Sequence, residues 1–255
     1  MKISIITATL NSARTVRDTI TSISNQKYSD IEHLIIDGQS SDETINIVKK
    51  NSSKRTRIYV EKDEGLYHAM NKGIDLAKGD IIGILNSDDF YANKNVLKIV
   101  KNIFENNPSI DACYADLVYT DQFNTFKNIR YWKSSKFIPG SFSKGWCPPH
   151  TTFFARRSVY KIFGNFNLDY SLASDNEIMM RFLEVHKIKS LHIPEVWVKM
   201  RSGGTTNKNL KNIFLQNLEI LSALRKNGLS SNPLRFFFYK IILRLSQRLI
   251  RINNE

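Results

Sequence analysis

Residues 81–91 read IIGILNSDDFY, and this stretch most narrows what the chain can fold into. The branched run Ile81, Ile82, Ile84 and Leu85 has no polar alternation, which predicts a strand buried on both faces inside a parallel sheet. The run ends abruptly in Asn86, Ser87, Asp88 and Asp89, so the polar residues fall at the strand's carboxyl end. In open α/β sheets that end is where ligands bind. Two adjacent carboxylates repel each other, and burying them unpaired is costly. A hard divalent cation, Mg²⁺ or Mn²⁺, relieves both problems and commonly joins one or two carboxylates to substrate phosphates. The same residues also read as a solvated turn after a buried strand.

The chain around this strand alternates its periodicities. Residues 2–9 and 31–37 (IEHLIID) read as strands, and 57–60 as a short third one. Between them, Ala13, Val16, Ile20 and Ile23 keep a helical period behind an Asn11 or Ser12 cap. Ser40 or Ser41 caps the next helix, with Asp42 and Glu43 in its first turn. Residues 66–78 are helical despite Gly73, and Gly79 ends that helix. A β-α-β-α-β-α-β order with short connections is a doubly wound parallel sheet.

Beyond a helix from Asn93 to the Asn107-Pro108 stop, the pattern turns antiparallel or mixed. Strands are expected over 111–120, 125–132 and 151–155, and within 188–200. Helices are expected over 157–163 and 174–186, with an irregular loop over 136–149 and a flexible 201–206. From about Leu210 the chain is helical only.

A hydrophobic fraction of 42% in 255 residues supplies a real core, and the formal charge of +13 implies an anionic partner. Cys113 and Cys147 form neither a CxxC nor a zinc spacing, and read as reduced thiols of a cytoplasmic protein. The amino-terminal apolar run is too short for a signal peptide, and nothing approaches the roughly 18 uninterrupted apolar residues of a spanning helix. Neither GxGxxG nor GxxxxGK[ST] is present, which removes support for dinucleotide and P-loop sites.

ISIITATLN, IIDGQSSDET, EKDEGLYHAMNKGIDLAKGD and IGILNSDD, taken in order, resemble the successive motifs of family 2 glycosyltransferases with the GT-A fold. HTTFFARRSVY, SLASDNEIMMRF and a late SGG extend the likeness across residues 1–205. It is nearest to bacterial enzymes of exopolysaccharide and O-antigen assembly. The resemblance implies an α/β, doubly wound mixed sheet, mostly parallel in its first half. A nucleotide-binding half would span about 1–107, an acceptor half about 108–205, and a helical extension 206–255.

The likeness also implies roles. Thr7, Ala8, Thr9 and Asp37 would hold the base of a nucleotide-sugar donor, UDP by preference, since a carboxylate can accept the uracil imide N–H. Asp63 would lie near base or ribose, with Asn71 and Lys72 supporting the nucleotide side. Asp88 would bind ribose or assist the metal, and Asp89 would ligate the Mn²⁺ or Mg²⁺ ion. Asp175 matches the family's acceptor base, at a helix start where the dipole favours negative charge. His150 approaches diphosphate or metal, or is simply a hydrogen-bonded structural residue. Arg201 with Gly203 and Gly204 suggests a loop closing over the diphosphate. Arg156 and Arg157 read equally as phosphate contacts or a solvated helix start, and Trp146 as an acceptor platform or a packed ring. Two positions depart from the pattern: Ser174 stands where many relatives carry Glu, and His68 where many carry Asp. Glu177 reads as a helix-stabilising acid more readily than as an acceptor contact.

The tail, 233–252, reads PLRFFFYKIILRLSQRLIRI. Arg235, Lys240, Arg244, Arg248 and Arg251 are expected on one side, among Phe237, Phe238, Ile241, Ile242, Leu245 and Leu249. Such a helix lies on anionic bilayers, which suits a saccharide acceptor on a polyprenyl diphosphate lipid at the inner membrane face. The alternative is a helix packed on the domain with Arg outward. A nucleic-acid-binding protein is disfavoured because the basic residues are dispersed and no recognition motif is present. A non-catalytic scaffold is disfavoured by the intact Asp88-Asp89 and Asp175.

Overall fold

The computed structural model describes residues 1–203, 210–229 and 232–249. The apolar runs become strands β1 (Ile3–Thr9), β2 (Ile31–Asp37) and β4 (Ile81–Ile84), each buried along its whole length. β3 (Thr56–Val60) closes the edge and is only half-buried. These four strands run parallel, in the order β3-β2-β1-β4. Helices α1 (Val16–Ser24), α2 (Thr44–Asn51) and α3 (Leu66–Leu76) make the crossovers. A strand with no polar face needs cover on both sides. Ile6, Leu34 and Ile36 pack with Met70 and Ile74 on one face, while Ile3, Ile5 and Ile81 pack with Val100 and Phe104 on the other.

The second half adds β5 (Phe90–Tyr91), α4 (Val96–Asn106), β6 (Ala112–Thr120), β7 (Asn128–Trp132), β8 (Phe154–Arg156), α5 (Arg157–Phe163), α6 (Ser174–Met180) and β9 (Ser190–Arg201). The sheet continues β4-β8-β6-β9-β5, with β7 paired to β6. β8 lies antiparallel between β4 and β6, β9 parallel to β6, and β5 antiparallel to β9. The sheet is therefore mixed beyond β4, as the change of pattern after Pro108 implied.

Several boundaries differ from expectation for local reasons. α1 starts at Val16 because the Ser12 carbonyl, not an Asn11 or Ser12 side chain, accepts the N–H groups of Thr15 and Val16. α2 starts at Thr44 because the Asp42 carboxylate accepts its N–H (3.0 Å) and hydroxyl (2.5 Å). Gly73 is required where α3 crosses the sheet, since a Cβ there would lie 2.4 Å from Ile6 Cγ2. Gly79 serves close approach rather than a left-handed cap, its Cβ position falling 2.7 Å from the Ser4 amide nitrogen.

Residues His150–Thr152 form a 3-10 turn instead of a strand. Thr152 Oγ1 there accepts from the Ala115 N–H (3.1 Å) and donates to its carbonyl (2.8 Å), replacing a backbone ladder. The expected helix over 174–186 is α-helical to Met180 and then a π turn, Arg181–Val185.

Helices α7 (Leu210–Lys226) and α8 (Pro233–Leu249) complete the described chain. Ile220, Leu221, Ala223, Leu224 and Phe236 join the main core, so the extension packs on the catalytic half. α8 lies against β7 and the 3-10 turn Phe142–Lys144. Its orientation departs from a helix packed on the domain with its cations outward. Phe236 is buried and Lys240 and Arg244 face a cavity, while Phe238, Ile241, Ile242 and Leu245 are exposed. Arg235 lies apart from that pair, over the Tyr239 ring and exposed. Gly204, Thr205, Thr206 and Arg251 of the expected motifs lie outside the described residues, as do the side chains of Arg248 and Leu249.

Candidate active site

Parallel pairing brings Thr9 opposite Asp37 at the carboxyl rim. The fully buried Asp37 carboxylate accepts from Thr9 Oγ1, the Ser40 N–H and Ser40 Oγ, each at 2.7 Å. Asp37 thus braces the first two strand ends from behind. Asn11 Oδ1 accepts the Ser41 N–H at 2.9 Å and ties the two rim loops together.

The next rim segment carries Asp88 and Asp89. Asp89 is fully buried, and its carboxylate accepts from Asn86 Nδ2 (3.1 Å) and the Arg201 N–H (3.2 Å). Burial, then the neighbouring Asp88 charge, pushes its pKa well above the carboxylate range, and burial also raises that of Asp88. Among the described residues neither forms an ion pair, and Asn86 Oδ1 is buried with no partner. Two unneutralised acids at one spot fit a cation that takes its remaining ligands from water and phosphate. Among the described residues no set of three or more His, Cys, Asp or Glu is grouped for a metal, so the fit depends on substrate oxygens.

Arg201 ends β9, nearly buried. Its guanidinium reaches the Asp18 carboxylate and the Asp88 carbonyl (3.0 Å), and lies 5.5 Å over the Phe90 ring. It forms part of the cavity wall. β5 and the β9 end that position it were too short and too continuous, respectively, to be bounded from periodicity.

Asp175 is in the first turn of α6 and lines the same cavity as Asp88 and Asp89. Its Oδ1 accepts from the Tyr67 hydroxyl (3.2 Å) and the Asn176 N–H (2.9 Å), and Oδ2 lies 3.4 Å from His150 Nδ1. Burial, then the Asp175 charge, raises the Tyr67 pKa and keeps that hydroxyl a donor. His150 Nε2 lies 3.2 Å from Asn86 Nδ2, which also serves Asp89. Asn86 therefore stands between His150 and Asp89, and the imidazole links the acidic rim to Asp175. An amide nitrogen only donates, so this contact leaves Nε2 as acceptor and places the ring proton on Nδ1, toward Asp175.

A cavity of about 830 Å³ joins these walls. Of the residues singled out from sequence, Ala8, Thr9, Asp63, Asp88, Asp89, His150, Asp175 and Arg201 line it, and so does Trp146. Thr7 is turned away, 3.0 Å from His33 Nε2, and Asp37 lies behind Thr9. Asn71 clamps the backbone of Phe166 through both amide atoms at 2.9 Å, and Lys72 pairs with Glu61 at 3.2 Å. Glu177 pairs with Arg181 at 2.9 Å, and Arg156 Nε donates to the Ile110 carbonyl at 2.7 Å. Cavity residues to which the sequence reading gave no site role include Tyr67, Arg130 and Trp132; Asn86 was named only within the polar run, and Lys240 and Arg244 only as a basic face of the tail. Asn86 stood inside the NSDD run and Tyr67 inside LYHAMN. The helical period of Lys240, Arg244 and Gln247 was the signal for the last group.

A mixed sheet wound on both faces, with an acidic pair on its rim over one large cavity, defines a GT-A glycosyltransferase. Solved structures with the same fold include a mannosyltransferase from Pyrobaculum calidifontis bound to GDP-Man and Mn²⁺. Its TM-score is 0.67 at 16% identity, over 96% of this chain and 70% of that one. Another is Staphylococcus aureus TarS 1-349 with UDP-GlcNAc, at TM-score 0.66 and 16% identity, over 95% of this chain and 71% of that one. The model of glycosyl transferase family 2 matches residues 4–163, and the chain belongs to that family. A PGL/p-HBAD biosynthesis glycosyltransferase of Mycobacterium tuberculosis is 30% identical over 87% of this chain and 85% of its own length. An uncharacterized glycosyltransferase of Haemophilus influenzae is 35% identical over 41% of this chain and 43% of its own.

Proposed function

We propose that this glycosyltransferase moves a sugar from a nucleoside diphosphate sugar, with UDP as the nucleotide, to a saccharide hydroxyl, inverting the anomeric centre. The acceptor is a glycan on a polyprenyl diphosphate lipid, and the setting is cell-surface polysaccharide assembly at the inner face of an anionic membrane. One observation carries the reading: the Asp88-Asp89 pair and Asp175 line one cavity. Complexes of similar folds with UDP-GlcNAc and GDP-Man support the donor class.

Ala8, Thr9 and Asp63 contact the nucleoside, with Asp37 bracing Thr9, and Thr7, Asn71 and Lys72 supporting the same side from outside the cavity. A Mn²⁺ or Mg²⁺ ion would be held by Asp89 with Asp88, and would neutralise charge on the departing diphosphate. Asp175 takes the acceptor hydroxyl proton. The freed oxygen electron pair forms the bond to the anomeric carbon as the carbon–oxygen bond to the diphosphate breaks, and the nucleotide leaves with that pair. Tyr67 aims the Asp175 carboxylate by donating to Oδ1, and His150 Nδ1 stands 3.4 Å from Oδ2. The exposed apolar face of α8, on a chain of net charge +13, supports adsorption to an anionic bilayer.

The test is a donor screen for nucleoside diphosphate release with Mn²⁺ and Mg²⁺, repeated on Asp89→Ala and Asp175→Asn. Asp89→Ala should lose donor binding. Asp175→Asn should keep it and lose about 10²–10⁴ in transfer rate. Full turnover by Asp175→Asn would remove its role as base.

A further inference from the structure

A helix packed on a soluble domain turns its apolar face inward. α8 does the reverse along most of its length. Leu234 (83% exposed), Phe238 (62% exposed), Ile241 and Leu245 face outward, while Lys240, Arg244 and Gln247 line the cavity.

Lys240 lies beside the backbone of residue 145, its Cβ 3.0 Å from where a side chain on Gly145 would begin. Its ammonium lies 5.2 Å over the buried Phe236 ring, and among the described residues it forms no ion pair. Burial and the nearby Arg244 charge lower its pKa to about 8, against a smaller favourable pull from Cys147 and Asp175. Two more cations complete this wall. The Arg130 guanidinium is bonded to Gln247 and lies 4.6 Å over the Tyr119 ring, and Lys133 lines the same cavity. The cavity lining therefore carries acids and a group of cations together. Asp63, Asp88, Asp89 and Asp175 supply the acids; Lys240, Arg244, Arg130 and Lys133 supply cations, and Lys240 feels both the Arg244 and the Asp175 charge. Cations brought together against burial and mutual repulsion fit an anion that arrives with the substrate.

We propose that Lys240 and Arg244 form a subsite for a phosphate group of the acceptor, distinct from the donor diphosphate held at Asp88 and Asp89. The proposal rests on the glycosyltransferase reading of the same cavity and gives the acceptor a chemistry. The phosphate is either part of a lipid headgroup or borne by a soluble molecule. The apolar outer face of α8 favours the lipid, whose chain would leave the cavity along Leu234, Phe238, Ile241 and Leu245.

The 255-residue chain, saturated with UDP and Mg²⁺ to occupy the donor site, is titrated with farnesyl diphosphate, inorganic pyrophosphate and farnesol. Farnesyl diphosphate should bind. Lys240→Gln combined with Arg244→Gln should weaken it at least tenfold, Lys240→Arg should retain it, and UDP affinity should move less than twofold. Farnesyl diphosphate binding tighter than pyrophosphate assigns the lipid source, and equal binding assigns a soluble phosphate. Absent binding of both phosphates, binding unchanged in the double variant, or farnesol binding as tightly as its diphosphate would overturn the subsite. Failure to bind UDP at all would instead sink the donor reading, and thermal unfolding of each variant separates either result from loss of fold.

Discussion

Glu219 of α7 offers a sharp test of whether the carboxy-terminal helices serve catalysis. Its carboxylate accepts from the Ser171 N–H (3.2 Å) and hydroxyl (2.9 Å), the Leu172 N–H (2.8 Å) and the Ala173 N–H (2.9 Å). Those groups form the turn immediately before α6, and Asp175 lies two residues beyond the last of them. Hydrogen bonds to a charged group are worth about 1.5–3 kcal/mol each, which for four would give roughly 6–12 kcal/mol. Ser171 is exposed and Glu219 only half-buried, so water replaces much of this in Glu219→Ala. A loss of about 2–4 kcal/mol remains, near the upper end for one substitution. For a chain of this size that lowers Tm by about 4–16 °C. Glu219→Gln keeps one acceptor oxygen but turns an NH₂ toward backbone donors, so it should fall between. The functional effect should be selective. A displaced base costs up to about 10²-fold in rate, so kcat should drop while UDP affinity holds. Thermal unfolding, UDP titration and steady-state kinetics on both variants are the assay. Wild-type Tm and kcat in Glu219→Ala would refute the positioning argument, and so would a fall in UDP affinity that accounts for all the lost activity.

Three further outcomes follow from the structure. His33 is fully buried, and desolvation lowers its pKa to about 3 from an ordinary 6.5. The unfolded chain therefore binds a proton that the folded chain does not, and stability falls as pH drops from about 6.5 toward about 3. Between pH 7 and about 5 that costs about 2 kcal/mol in urea unfolding, a difference that His33→Gln should abolish and that an unchanged slope would contradict. Gly73→Ala gains up to about 1 kcal/mol of helix propensity but forces a Cβ to 2.4 Å from Ile6 Cγ2, so a net loss of about 1–2 kcal/mol is expected, and a stabilised variant would show that α3 can retreat from the sheet. Phe238→Ser, Ile241→Ser and Leu245→Ser together remove exposed side chains, so Tm should hold while flotation with vesicles containing anionic lipid falls at least tenfold; undiminished flotation would detach α8 from the bilayer.

Much of the first half was legible because its strands have only one way to be satisfied. Ile3–Thr9, Ile31–Asp37 and Ile81–Ile84 carry apolar residues on both faces, so each needs a neighbour above and below, and a parallel sheet with crossover helices follows. That arrangement also forces Thr9, Asp37 and Asp88-Asp89 onto one rim. What periodicity does not encode is whether a rim residue faces the cavity or the layer behind it. Thr7 and Asp37 have the same strand context as Thr9, yet one reaches His33 and the other braces Thr9. The late strands were harder because Thr152 supplies through its hydroxyl what a ladder would supply through the backbone, which leaves no period to read.

α8 shows the limit most clearly. Its sequence fixes two faces, with Lys240, Arg244 and Gln247 on one and Phe238, Ile241 and Leu245 on another. Which face turns inward depends on what each meets there. An inward apolar face would need an apolar groove, but this part of the domain offers Arg130, Trp132 and the mouth of a cavity. Gln247 accepts the Arg130 guanidinium at 2.8 Å, Phe236 and Phe237 pack on the core, and Lys240, Leu243 and Arg244 face the site. The helix thus turns its polar face to the cavity and part of its apolar face outward, rather than dividing core from water. Periodicity alone, which is scored against core and water, assigns such a helix the opposite orientation.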